Sequence, residues 1–146
     1  MKVILSFLAL CIFTISQAAT YYISPSGNDA TGTGTAANPW RTLAKATSTV
    51  TAAGNIIHVT AGTYTETQQI NLAVGVSIEG EGATTTIINS TVTGQWSLFL
   101  SLDSPQDTNG NQSISGVTFD GGYVSESNNK TNSLRNVSDI LFSSAK

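Results

Sequence analysis

The sequence is poor in cysteine and in charge, and both shortages restrict what the protein does. Cys11 is its one cysteine and lies in an apolar N-terminal run, so no disulfide holds the rest of the chain together. Charged residues make up 10% of the chain, against about 25% in an average protein. Asp and Glu outnumber Lys and Arg by nine to six, a balance that argues against nucleic-acid binding, which needs clustered basic side chains.

Residues 1–18 have the pattern of a secretory signal peptide. Lys2 provides the positive start, an apolar run extends from Val3 to Ile15, and Ser16-Gln17-Ala18 offers small residues for cleavage. The apolar run is about thirteen residues long, too short to cross about 30 Å of hydrocarbon. We therefore expect no membrane span, cleavage after Ala18, and a protein that is secreted.

Short apolar segments recur along the rest of the chain at a nearly fixed spacing. Five segments with an apolar–x–apolar pattern are centred on residues 58, 77, 99, 118 and 141, so the steps are 19, 22, 19 and 23 residues. A leucine-rich repeat would show a leucine ladder, and an antiparallel sandwich would show turns roughly every 8–12 residues. The pattern instead favours an all-β solenoid of parallel strands with about five coils. Its two inward columns are predicted to be Ile57, Val76, Leu98, Val117 and Ile140, and Val59, Ile78, Leu100, Phe119 and Phe142.

A short amphipathic helix is predicted over residues 38–54, where it would cover the first coil. Asn38 suits the N-cap, Pro39 the first helical position and Gly54 the C-terminal end. Four apolar residues between them recur at roughly helical spacing: Trp40, Leu43, Ala46 and Val50. The expected division is a signal peptide at 1–18 and one β-helix domain at 19–146, with its cap at 20–54 and its coils at 55–146.

The C-terminal end of the sequence has no comparable lid. The last inward pair, Ile140 and Phe142, is followed only by Ser143-Ser144-Ala145-Lys146. Four small or polar residues cannot cover a coil or pair its strand edges. The sequence therefore predicts a solenoid that is truncated at its C-terminus.

Several motifs resemble the opening of bacterial parallel β-helix proteins of the pectate-lyase-like superfamily. They are Tyr21-Tyr22-Ile23-Ser24, Gly27-Asn28-Asp29, Asn38-Pro39-Trp40-Arg41-Thr42-Leu43, residues 56–64 with Glu66, residues 75–80, and Thr86-Ile87-Ile88-Asn89. The resemblance covers about residues 20–122. It implies a right-handed parallel β-helix that binds or cleaves extracellular polysaccharide, by lyase or glycoside hydrolase chemistry if it is an enzyme.

No catalytic residue can be transferred from this resemblance. Lyases of the superfamily abstract a proton with Arg or Lys and hold calcium with several Asp, on coils beyond the region present here. No such Asp cluster is found on adjacent coils of this sequence, so no cofactor is evident and calcium is left open. The alternatives to polysaccharide binding are a structural or adhesive cell-surface solenoid and a fragment without activity of its own.

Two aromatic residues are the candidate substrate-binding residues. Trp96 and Phe99 are predicted to face outward, where aromatic rings can stack on sugars. The alternative for both is packing beneath a neighbouring loop. His58, the only histidine, is predicted to face outward beside Ser77, Phe99 and Thr118 as an ordinary surface residue.

Glu79 and Asp120 are weak candidates for a metal site. The predicted alignment stacks Thr60, Glu79, Ser101 and Asp120 in one column, with the two carboxylates about 10 Å apart. Calcium takes six to eight oxygens, so solvated turn carboxylates are the favoured interpretation. Asp29 and Arg41 are predicted to form a salt bridge that ties the preceding loop to the cap.

Overall fold

The computed structural model describes residues 17–91, 98–104, 109–120, 123–126, 137–138 and 141–143, with side chains at 17–91, 100–104 and 109–120. In this part the elements are β1 (Thr20–Ile23), α1 (Leu43–Thr49), β2 (Ile56–Val59), β3 (Gly62–Glu66), β4 (Ile70–Leu72), β5 (Ser77–Gly80), β6 (Thr86–Ser90), β7 (Leu98–Leu102), β8 (Ile114–Ser115), β9 (Thr118–Asp120), β10 (Tyr123–Glu126), β11 (Val137–Ser138) and β12 (Leu141–Ser143). None of the helical structure described reaches the length and apolarity that a bilayer crossing requires.

The strands form three parallel sheets. The first sheet has the order β1-β2-β5-β8-β11, the second β3-β6-β9-β12, and the third β4-β7-β10. From β2 onward the chain passes through the first, second and third sheets in that order, again and again. All strand pairs in the described chain are parallel. The all-β class with one short helix is thus confirmed.

One apolar core receives side chains from all three sheets and from the helix. Its strand members include Ile23, Ile57, Val59, Tyr64, Ile70, Leu72, Ile78, Ile88, Leu100, Leu102, Ile114 and Phe119. Residues predicted to face inward are buried wherever their side chains are described: Ile57, Val59, Val76, Ile78, Leu100, Val117 and Phe119. Leu98, Ile140 and Phe142 lie outside the described side chains. Alternation of apolar and polar residues therefore predicted burial correctly.

The predicted columns, in contrast, are wrong. Ile57 pairs with Ile78, and Ile78 pairs with Ile114, so the steps in the first sheet are 21 and 36 residues. Leu100 pairs with Ile70 in the third sheet, and Phe119 pairs with Ile88 in the second. The reason is that the chain forms a strand in each sheet before it returns to the first. Apolar–x–apolar segments therefore arise in all three sheets. A search for a single period assigned segments from different sheets to the same column.

The helix is shorter than predicted because the residues before it are paired with β1. Trp40 donates its backbone N–H to Tyr22 O at 3.1 Å, and its own carbonyl accepts from Ser24 N at 2.9 Å. A helix can start only after these bonds, so Thr42 rather than Asn38 is the N-cap, and its Oγ1 accepts from Lys45 N at 3.1 Å. The predicted apolar stripe is nevertheless buried throughout, at Trp40, Leu43, Ala46 and Val50.

Trp40 fixes the loop that precedes the helix. Its indole Nε1 donates to Gly32 O at 2.9 Å, and its ring stacks on Tyr21 with centroids 5.7 Å apart. Gly34 has φ +75°, and a Cβ at this position would lie 2.6 Å from the indole. Only glycine therefore allows the loop to fold over the tryptophan.

Candidate functional site

Four side chains form a row on the outer face of the first sheet. Tyr22 pairs with His58, His58 with Glu79, and Glu79 with Ser115 on successive strands. Neighbouring strands are about 4.8 Å apart, so each side chain in the row stands beside the next. The residue that precedes each of them along its strand belongs to the core or packs against it, which directs the row to the surface: Tyr21, Ile57, Ile78 and Ile114. We call Tyr22, His58, Glu79 and Ser115 the outer row.

The imidazole of His58 is held between an aromatic ring and a carboxylate. Its ring centroid lies 5.2 Å from that of Tyr22, at an interplanar angle of 55°. Its Nε2 lies 3.3 Å from Oε1 of Glu81, which follows β5 directly. The other carboxylate oxygen of Glu81 accepts the backbone N–H of Ala61 at 2.8 Å. Glu81 thus connects the turns that follow β2 and β5, and it orients the imidazole beside Tyr22.

The two carboxylates of this face differ in their bonding. The N–H of Ala61 and, after it, the hydrogen bond with His58 lower the pKa of Glu81 below its ordinary value, so this carboxylate is charged at neutral pH. The side chain of Glu79 is exposed and forms no hydrogen bond with any residue that the structure describes. The outer row therefore presents an unoccupied acceptor next to a partly exposed ring.

The outer row offers two kinds of contact to a ligand. An aromatic ring offers an apolar face to the C–H side of a sugar, and a free carboxylate accepts hydrogen bonds from hydroxyl groups. Within the described ranges, no three His, Cys, Asp or Glu side chains come close enough together to hold a metal ion.

The predicted metal candidates do not share a face. Glu79 lies on β5 of the first sheet, whereas Asp120 lies on β9 of the second, where it pairs with Asn89. Ser101 lies on β7 of the third sheet. The predicted column of Thr60, Glu79, Ser101 and Asp120 is thus wrong, for the same reason as the inward columns.

The predicted sugar-binding aromatics fall where little is described. Trp96 lies outside the described residues. Phe99 belongs to β7 of the third sheet, but its side chain is also outside the described part. Their role as a stacking platform stays a prediction.

The outer row itself was missed because the register was wrong. His58 stands beside Tyr22 and Glu79, not beside Ser77, Phe99 and Thr118 as predicted. A signal was present in the sequence: Tyr21-Tyr22-Ile23 has the same alternation as Ile57-His58-Val59. Treating the first of these segments as part of the repeat would have placed the two aromatic side chains together.

Asp29 ties the loop to the cap, though not by the predicted salt bridge. Its Oδ1 accepts the backbone N–H of Arg41 at 2.7 Å, and its Oδ2 accepts the hydroxyl of Thr42 at 2.8 Å. The guanidinium of Arg41 instead donates from Nε to Pro25 O at 3.4 Å. Backbone donors at the start of a helix lack intrahelical partners, so a carboxylate binds them in preference to a mobile side chain.

Glu66 is a second polar group that sequence reasoning missed. Its side chain is 1% exposed at the end of β3, and its oxygens accept from Leu43 N at 2.6 Å and Ala44 N at 3.3 Å. Burial raises the pKa of its carboxyl above the ordinary 4.5, the two N–H groups oppose this shift, and the charge of Asp29 adds to it. Glu66 therefore fastens the first turn of α1 to the second sheet.

Comparison with known families agrees with this architecture. The three parallel sheets define an all-β protein of parallel strands. The family described as "Protein of unknown function (DUF1565)" matches residues 25–141, and the chain belongs to this family. DUF1565 is associated with right-handed β-helix proteins. No curated protein matches the chain significantly, and no solved structure does either.

Proposed function

We propose that this protein is a secreted parallel β-helix that binds extracellular polysaccharide through the outer row. Two observations support the solenoid part of the proposal. The chain adds a parallel strand to each of three sheets in turn, as a coil of a solenoid does, and DUF1565 is associated with β-helix proteins. The resemblance of residues 20–122 to the pectate-lyase-like superfamily agrees with both.

Secretion is supported by the contacts of Ala19, which would survive cleavage after Ala18. Ala19 donates its backbone N–H to Asn55 Oδ1 at 2.9 Å, and its carbonyl accepts from Ile56 N at 2.9 Å. Cleavage after Ala18 would leave these bonds intact, because a free amine at Ala19 still donates to Asn55. The proposed signal peptide can therefore be removed without any loss to the first strand.

The observation that carries the binding proposal is the juxtaposition of Tyr22, His58 and Glu79 on one face. The two rings offer a surface for the apolar side of a sugar, and the unoccupied carboxylate of Glu79 is an acceptor for its hydroxyls. Glu81 adds a second negative charge to the same face. Such a face repels uronates, so we propose a neutral glycan as the ligand.

The test is a binding titration with neutral and acidic hexasaccharides, followed by isothermal calorimetry. Tyr22→Ala and Glu79→Ala should each weaken binding of the neutral glycan at least tenfold, because each removes one of the two contacts. Asp120→Ala is the matched control, since it removes a carboxylate from the second sheet and should leave affinity unchanged. If the folded protein binds no glycan at all, the structural or adhesive alternative replaces this proposal.

A further inference from the structure

A polar cleft lies between the helix and the third sheet, away from the outer row. Strand β4 is the edge strand of the third sheet, and α1 packs against it. The cleft between them has a volume of about 360 Å³. Ligand sites usually occupy about 300–1,000 Å³, so the cleft is large enough for a sugar unit.

Four of the polar side chains that line the cleft have no hydrogen-bond partner in the described parts of the chain, whereas the hydroxyls of Thr47 and Ser48 donate to backbone carbonyls of α1. Gln68, Gln69 and Asn71 present exposed amides to it, and Asp103 presents a carboxylate. None of these four side chains forms a hydrogen bond within the described parts of the chain. Unpaired amides both donate and accept, whereas a carboxylate only accepts. The cleft thus offers four groups that can all be satisfied by a ligand.

The carboxylate of Asp103 stands on a fixed backbone. The backbone N–H of Asp103 donates to Leu72 O at 2.9 Å, and the backbone carbonyl of Asp103 accepts from the side-chain amide of Gln112. The first bond attaches the residue to the end of β4, beside Asn71, and the second attaches it to Gln112, which precedes β8. A carboxylate on an anchored backbone has less conformational entropy to lose on binding than one on a mobile loop, and its place beside an amide favours a ligand with adjacent hydroxyl groups.

The lining also contains the hydroxyl residues Thr47, Ser48 and Thr51 and three apolar side chains. Ile70 and Ala44 are buried, and Ala73 is partly buried against the core. These side chains leave a small hydrophobic surface beneath the polar groups. A sugar ring has the same division, because its C–H bonds face one side while its hydroxyls extend from the rim.

The charges of the lining restrict the class of ligand. No Lys, Arg or His is among the residues around the cleft, so nothing there would bind a phosphate or a uronate carboxylate. One carboxylate is also too few for tight calcium binding, which draws on six to eight oxygens. We propose that this cleft is a second binding site for a neutral sugar unit, independent of the outer row.

Nuclear magnetic resonance of the ¹⁵N-labelled full-length protein tests this inference residue by residue. The probes are cellohexaose, xylohexaose, mannohexaose, hexagalacturonate and calcium chloride. At least one neutral hexasaccharide should shift the side-chain amide signals of Gln68, Gln69 and Asn71. Asp103→Ala and Asn71→Ala should each weaken this response at least tenfold, while Asp120→Ala should leave it unchanged.

The same spectra separate the two sites. Tyr22→Ala should leave the response of the cleft intact, even if it abolishes binding at the outer row. The inference is overturned if no neutral glycan shifts these amide signals in the folded protein, if calcium alone shifts them, or if Tyr22→Ala removes their response. Failure at the outer row with a response in the cleft would overturn only the outer-row proposal.

Discussion

Glu66 and Glu81 make similar hydrogen bonds in two different regions of the molecule, and their pKa values move in opposite directions. Each accepts backbone N–H groups, from Leu43 and Ala44 in one case and from Ala61 in the other. The pKa of Glu66 is raised and that of Glu81 is lowered. Burial separates them, because Glu66 is 1% exposed whereas the side chain of Glu81 is 45% exposed.

The contrast shows how differently the protein uses one residue type. At the junction of α1 and β3, desolvation of the charged form outweighs the two N–H donors, and the carboxylate serves to hold the helix. On the outer face, water solvates the carboxylate and the hydrogen bonds decide the direction of the pKa shift. Glu66 is accordingly a structural group, and Glu81 is a group that positions the imidazole of His58.

Among the substitutions that test this contrast, Glu66→Ala is expected to have the largest effect on stability. The substitution leaves two buried N–H groups without an acceptor and opens a cavity beside α1, so it should lower the free energy of unfolding by about 2–4 kcal/mol. Urea denaturation followed by circular dichroism measures this loss. Thr65→Ala, at the exposed neighbouring position of β3, is the control and should have little effect. A loss no larger than that of the control would show that the helix does not depend on Glu66.

The second expected effect is a difference between the wild type and Glu66→Gln in how their stability depends on pH. A raised pKa means that the unfolded chain releases the proton of Glu66 at lower pH than the folded chain does. Stability of the wild type relative to the variant should therefore fall as pH rises from about 4.5, the ordinary value, through the folded pKa, and stay constant above it.

Thermal unfolding of both proteins in a pH series gives this difference. Glutamine has no proton to lose, and the other titrating groups cancel in the comparison. If the wild type instead gained stability relative to Glu66→Gln over this range, the N–H groups of Leu43 and Ala44 would outweigh burial, and the contrast with Glu81 would disappear.

The smallest effect is expected for Glu81→Gln. Its carboxylate is solvent-exposed, and exposed charge interactions contribute little to stability. Because the pKa of Glu81 is lowered, its contribution is present above its ordinary pKa and is lost as pH falls through the folded value. The urea midpoint at neutral pH should thus shift far less than for Glu66→Ala. A shift of equal size would mean that the outer face is as structural as the cap.

Sequence reasoning predicted the class of fold and the core well. Alternation identified Ile57, Val59 and Ile78 as buried, and the spacing from Trp40 to Val50 identified the apolar stripe of the cap. Such patterns are local, so they can be read from neighbouring residues. The limits of the helix could not be read in this way, because Trp40 pairs with a strand about twenty residues earlier, at Tyr22.

The candidate site depended on information that is not local. The outer row brings together one residue from each of four strands, so each strand assigned to the wrong sheet replaces one of its members. The stretches of chain that connect successive strands of the first sheet also vary in length, so a fixed period could not align these strands. Glu66 presented the same difficulty, because its partners lie more than twenty residues away in the chain.

The sequence by itself determined which side chains face the core, that the strands belong to an all-β protein, and that a short amphipathic helix contributes an apolar stripe to the core. These features follow from alternation and from hydrophobic spacing, which act over a few residues. Tertiary structure decided which strands are neighbours, and so that Tyr22, His58 and Glu79 meet on one face while Asp120 lies on another. The physical reason is that backbone hydrogen bonds between parallel strands form whatever the side chains are. How the whole core packs therefore decides which strands are neighbours and in what register.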